Sequence, residues 1–173
     1  MSITLKSPAE IEKMRVAGRL AAEVLDYVAP FVKPGITTGE LDKLCHDYMV
    51  NVQGCIPAPL NYAPSGYKPY PKSICTSVNH QICHGIPGDK QLKNGDIVNL
   101  DITTIKDGYH GDTSRMFYVG NVPPAAKQLC EATKEALDAG AAVERAAELV
   151  RGGGGVRLRQ EACGWLGRGG RAE

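Results

Sequence analysis

Asp101 and Asp112 flank a tight turn in the stretch Asp96-Ile97-Val98-Asn99-Leu100-Asp101-Ile102-Thr103-Thr104-Ile105, Lys106-Asp107-Gly108, Tyr109-His110-Gly111-Asp112-Thr113-Ser114-Arg115. β-favouring residues on both sides of an Asp-Gly pair are the strongest short-range signal for a β-hairpin. With a two-residue turn centred on Asp107 and Gly108, Lys106 faces Tyr109, Asp101 faces Ser114, and Asp112 faces Thr103. Residues 101 and 103 share a face, so both carboxylates point the same way as diagonal neighbours, roughly 7–8 Å apart at the backbone. Acids leaning together across that gap could grip one divalent ion, or two ions about 3.5–4 Å apart. Burying both without a cation would be costly. A bulge near Gly111 would turn one of them to the other face. The plainer alternative is a pair of polar residues on a solvated strand face, or turn and bulge formers.

The histidines are the next candidates. His84 lies in Cys83-His84-Gly85-Ile86-Pro87-Gly88, where a lone histidine before a glycine is either a structural donor or a catalytic group. His46 falls in a helix that reads as scaffold. His110 is read as facing away from Asp112, on the alternation of strand residues. Asn79-His80 reads as a turn between short strands.

The elements that must position these groups are legible in outline. Ser7-Pro8-Ala9-Glu10 is a capping box with proline at the first helical position. It starts a helix through about Val28, with Ile11, Met14, Ala17, Leu20, Ala21, Val24, Leu25 and Val28 as its apolar stripe. Pro30 and Pro34-Gly35 end it. A second helix is predicted from near Thr37 to about Val50, with Leu41, Leu44, Cys45, Tyr48 and Met49 inward. Residues 54–72 form a long loop rich in Pro, Gly and Tyr, a length that marks function or disorder. Short strands follow at Ser73–Ser77 and around Ile82–His84, then the Asp-bearing hairpin. Pro123-Pro124 opens a third helix to about Leu149.

At 173 residues and 43% apolar, the chain holds one ordinary domain, read as residues 1–150. The net charge of +1 gives no support to a dominant polyanion-binding role, and neither DNA nor a membrane is expected as a partner. Six cysteines without a Cys-x-x-Cys pair point to reduced thiols in a cytoplasm rather than to zinc or a disulfide framework. The N-terminus carries no secretory pattern, and no apolar run reaches the roughly 18–20 residues needed to span a bilayer. Residues 151–173 differ in kind: eight Gly and five Arg cannot build a packed core. This basic tail is expected to be disordered.

Taken together, Tyr70-Pro71-Lys72-Ser73-Ile74-Cys75, Val78-Asn79, Cys83-His84-Gly85-Ile86-Pro87, Gly95-Asp96-Ile97-Val98-Asn99-Leu100-Asp101 and His110-Gly111-Asp112-Thr113-Ser114-Arg115-Met116-Phe117 closely resemble bacterial type I methionine aminopeptidases. Ile11-Glu12-Lys13-Met14-Arg15-Val16-Ala17-Gly18 looks like the same family. The resemblance covers roughly residues 3–140. It implies the α+β pita-bread fold, mainly its first half: an antiparallel sheet with helices on one face. It also implies removal of N-terminal methionine from nascent chains, with a possible ribosome contact, using two divalent ions (Co, Fe, Mn or Zn). Asp101 matches a chelating ligand and Asp112 the ligand that bridges the two ions. His84 matches the histidine that contacts substrate and steadies the tetrahedral intermediate. Tyr70 and Cys75 match the lining of the methionine side-chain pocket, and Asn79 a backbone site for a monovalent cation.

The family pattern uses five ligands, two Asp, one His and two Glu, and the match decays after about Gly140. Cys163-Gly164-Trp165-Leu166 stands nearest to the family's Cys-Gly-His-Gly, and no histidine follows His110. The expectation is therefore an N-terminal half with an unrelated tail, as a frameshift or a misassigned gene end would leave. Such a polypeptide should be impaired or inactive, prone to associate with itself. Two alternatives stand beside this reading: a proline-specific dipeptidase of the same fold, and a non-catalytic fragment that only binds. The motif Cys83-His84-Gly85-Ile86-Pro87 favours the methionine enzyme over the dipeptidase.

Overall fold

Two capping boxes start the helices that back the sheet. In the computed structural model, which describes residues 5–150 and the side chains of residues 5–143, Ser7 caps α1 (Pro8–Val28) and Thr37 caps α2 (Thr38–Asp47). In each, the N-cap hydroxyl accepts the third residue's N–H, and that residue's glutamate, Glu10 or Glu40, accepts the N-cap N–H. Each box satisfies two amides that a helix start otherwise leaves bare. A single 3-10 turn at Ala29–Phe31, carrying Pro30, ends α1. A π-helical turn at Tyr48–Val52 ends α2.

The sheet has four antiparallel strands: β1 (Ile56–Pro57), β2 (Cys75–Val78), β3 (Ile97–Lys106) and β4 (Tyr109–Tyr118). The central strand β3 pairs with β4 on one side and with β1 and β2 on the other. Along β3, Val98, Leu100, Ile102 and Thr104 are buried while the residues between them are half-buried. Val98, Leu100 and Ile102 pack in one core with Ala21 and Leu25 of α1, Leu41 of α2 and Met49 of the turn that follows it. Where β4 crosses α1 the backbones touch: a Cβ on Gly111 would strike the Ala17 carbonyl, and the Thr104 hydroxyl donates to that same oxygen (3.3 Å). α3 (Pro124–Val150) follows β4, and Leu129 and Val143 on it are exposed.

Two expectations change. Residues 54–72 are not wholly irregular, since Ile56 and Pro57 pair with Ile105 and Thr104. The loop is also closed at its neck, where Asn61 N–H donates to Tyr70 O and Tyr70 N–H to Tyr62 O, each at 2.8 Å. Ile82–His84 is not a strand. Its stand-in is a corner at Gly85, whose carbonyl accepts the Thr76 N–H at 2.7 Å and whose missing side chain lets it lie on the Thr76 backbone. His84 takes φ 54° to make the corner, and Ile82 is left 97% exposed. The Gly/Arg-rich segment 151–173 lies outside the described residues.

Candidate metal centre and side-chain pocket

The hairpin turn fixes the site. Asp107 (φ 50°) and Gly108 (φ 82°) both lie in the left-handed region, the type I′ geometry whose twist matches that of the strands. From there the register runs without a bulge, pairing Lys106 with Tyr109, Thr103 with Asp112 and Asp101 with Ser114. Paired residues share a face, so Asp101 and Asp112 both lie opposite the helices. Cys75 pairs with Asp101 from β2 and joins the same row.

His110 belongs to this face as well, which corrects the expectation that it turns away: it stands two residues from Asp112, not one. It is exposed, and its charge acts to lower the pKa of Asp112. Thr103, which the hairpin register sets opposite Asp112, hydrogen-bonds to it. The residue opposite an acid in a known register is the place to look for such a partner.

Burial, and then the charge of Asp112, push the Asp101 carboxyl up to about 6, with His84 opposing. Burial likewise raises Asp112, against the Thr103 hydrogen bond and His110. His84 thus stands near Asp101 from the loop side.

This has a consequence for the metal-free protein. A carboxyl raised in the folded state adds stability that is complete below the ordinary value of 3.8 and is lost as pH rises through about 6. Asp101→Asn is therefore expected to stabilise the metal-free polypeptide at pH 7.5 by roughly 1–3 kcal/mol, the range left after discounting for partial solvation. The gain should fall steadily as pH drops below about 6 and vanish only below the ordinary value of 3.8, and thermal melts across that range with chelator present would show it. A gain that does not depend on pH would remove the electrostatic account.

The Tyr70 hydroxyl lies 3.1 Å from Ile74 O, 3.3 Å from Cys75 Sγ and 3.4 Å from Gly85 O. Its pKa is raised, first by burial and then by Cys75. Tyr70, Cys75 and the His84-Gly85 corner therefore form one wall beside Asp101. Asn79 is elsewhere, at the far end of β2. Its side chain accepts the Ile97 N–H at 3.0 Å and donates to Asp96 at 2.8 Å, beside an open concavity of about 530 Å³ that also includes Lys90 and Lys93.

Two neighbouring, partly buried carboxylates suit a hard divalent cation, which would relieve the mutual repulsion that burial enforces. Among the described residues no group of three or more His, Cys, Asp or Glu is placed to hold an ion. The pair fits as part of a ligand set and does not complete one.

The sequence model of metallopeptidase family M24 matches residues 12–153. The chain belongs to metallopeptidase family M24. Within this family it is 49% identical, over 185 residues, to a methionine aminopeptidase of Escherichia coli K12, an alignment covering 98% of this chain and 67% of that one. The crystal structure of methionine aminopeptidase from Rickettsia prowazekii superposes with a TM-score of 0.74 at 52% identity, covering 79% of this chain and 52% of that one. The chain thus spans about half to two thirds of the length of these relatives. A prolidase from Pyrococcus furiosus, at 21% identity and a TM-score of 0.64, shares the fold alone. The expected pita-bread architecture is that of the matched structures. No helix among the described residues is long and apolar enough to cross a membrane.

Proposed function

We propose that this chain carries the metal-binding hairpin and the side-chain pocket of an enzyme that removes N-terminal methionine from polypeptides. The observation that carries the reading is the placement of Asp101 and Asp112 on one sheet face, flanked by His84 and by the Tyr70–Cys75 wall. Asp101 and Asp112 would hold divalent ions, with Co, Fe, Mn and Zn all admissible to an oxygen-rich donor set. Bound there, the metals would polarise the scissile carbonyl and supply an activated water. His84, exposed on its corner and close to Asp101, would donate a hydrogen bond to the substrate carbonyl as it becomes tetrahedral. Tyr70 and Cys75 would line an apolar slot that admits a flexible thioether. The Asn79 carbonyl is the proposed seat of a monovalent cation at the far end of β2.

Nascent chains beginning with methionine are the implied partners. A cytoplasmic location fits the five cysteines of the described residues, all of them free thiols. The prolidase-like alternative has only a shared fold in its favour.

Two measurements on the 173-residue polypeptide test the reading. Methioninamide should bind the Mn²⁺-loaded polypeptide about tenfold more tightly than alaninamide, the discrimination an apolar pocket can supply. Equal binding would remove the pocket. Cleavage of Met-Ala-Ser should run at about a thousandth or less of the rate of a relative with all five ligands, because the two carboxylates found among the described residues leave most of the metal shell to water. Turnover equal to such a relative would overturn that ligand count.

A further inference from the structure

Asp42 is a carboxylate in the wrong place for a surface helix. It lies on the inner side of α2 at 7% exposure, in the same stripe as Thr38, Cys45 and Met49. Its Oδ1 accepts two backbone amides from a distant segment, Ser73 N–H at 2.8 Å and Ile74 N–H at 3.2 Å. Its other oxygen lies 3.8 Å from Lys72 Nζ. One helical turn on, His46 Nδ1 lies 2.7 Å from the Ser73 hydroxyl. Two side chains four residues apart on one helix thus grip the same buried residue.

What they grip is the lead-in to β2, and Cys75 is the next residue but one. The Tyr70 hydroxyl is aimed at Ile74 O and at Cys75 Sγ, so the clamped peptide is also the docking point of the tyrosine. Charge-assisted hydrogen bonds are roughly twice as strong as neutral ones. A buried acid is an expensive way to satisfy two amides unless their position matters. Ser73 and Ile74 come just before the strand begins, so the sheet itself does not hold their amides.

We propose that Asp42 is a positioning residue for the side-chain pocket, holding Ser73 and Ile74 so that Tyr70 and Cys75 stand against the face that carries Asp101 and Asp112. This rests on the pocket reading above. Asp42 touches no substrate; it sets the wall from behind, with His46 as its second point of contact.

The test compares wild type, Asp42→Ala and Asp42→Asn in the 173-residue polypeptide. Iodoacetamide labelling of each cysteine is followed by mass spectrometry under native conditions, with methioninamide and Mn²⁺ binding measured alongside. Asp42→Ala should speed alkylation of Cys75 about tenfold through local opening while Cys45, deep in the core, is unchanged. It should also abolish the preference for methioninamide over alaninamide and leave Mn²⁺ affinity as it was. Asp42→Asn keeps an acceptor for both amides and should restore Cys75 to within about threefold of wild type. Parallel acceleration of Cys45 and Cys75 in both variants would show a general loss of fold and overturn the proposal, as would an unchanged Cys75. If wild type shows no methioninamide preference while the labelling follows the expected pattern, the pocket reading fails and the positional role of Asp42 stands.

Discussion

Gly111→Val is expected to be among the most damaging single substitutions in the described residues, lowering stability by about 3–5 kcal/mol or abolishing cooperative unfolding. The reason is backbone against backbone. A Cβ at 111 would meet Ala17 O, Ala17 C and Gly18 N of α1, and none of these atoms can rotate away as a side chain would. Either α1 lifts from the sheet or β4 bends, and both open the core that Ala21 and Leu25 share with Leu100 and Ile102. A small domain has only about 5–15 kcal/mol in hand, so the loss is a large fraction of the total. The control is Gly140→Ala on α3, where the new methyl group would meet nothing within 4 Å beyond the helix's own backbone. It should stabilise by about 0.5–1 kcal/mol, since alanine favours a helix. Urea melts of both variants would check the pair, and a Gly111→Val midpoint within error of wild type would refute the contact argument.

The second large effect concerns metal. Asp112→Asn is expected to weaken Mn²⁺ binding at least about a hundredfold, because the amide removes one of two anionic donors. Asp101→Asn should do the same, and the double variant should be little worse than either single one, since the two oxygen sets serve one site. Thr103→Val, which removes a hydrogen bond to Asp112, should cost far less. Isothermal titration at pH 7.5 would measure all four. Unchanged Mn²⁺ affinity in Asp112→Asn would mean that the hairpin is not the binding site, whatever the family.

The hairpin was the most legible part of the chain because its register needed only the turn and a count of two. Asp-Gly specified a type I′ turn, and the pairing of Asp101 with Ser114 and of Thr103 with Asp112 followed. The same count of two places His110 beside Asp112, on the face that both share. The segment Ile82–His84 was misread for a physical reason: its composition suits a strand, yet Gly85 must press on the Thr76 backbone, and a corner is the way to deliver it there. β1 was missed because two residues ending in a proline give no periodicity; the pairing is imposed by β3. Asp42 announced itself faintly, as an acid within the stripe that also holds Cys45 and Met49. Its partners are 31 and 32 residues away, so no local pattern could name them.

The unbulged ladder between Asp101 and Asp112 also constrains what lengths this segment can take over evolutionary time. Inserting or deleting one residue between the two acids would send one of them into the layer of α1 and leave its partner outside, so a frame of coordination would be lost at a stroke. Changes by two, made at the turn, would return both to the same side with a longer or shorter ribbon. Lineages descending from such a hairpin should therefore vary in this interval by even steps, and an odd step should travel with a compensating bulge or with the loss of metal dependence.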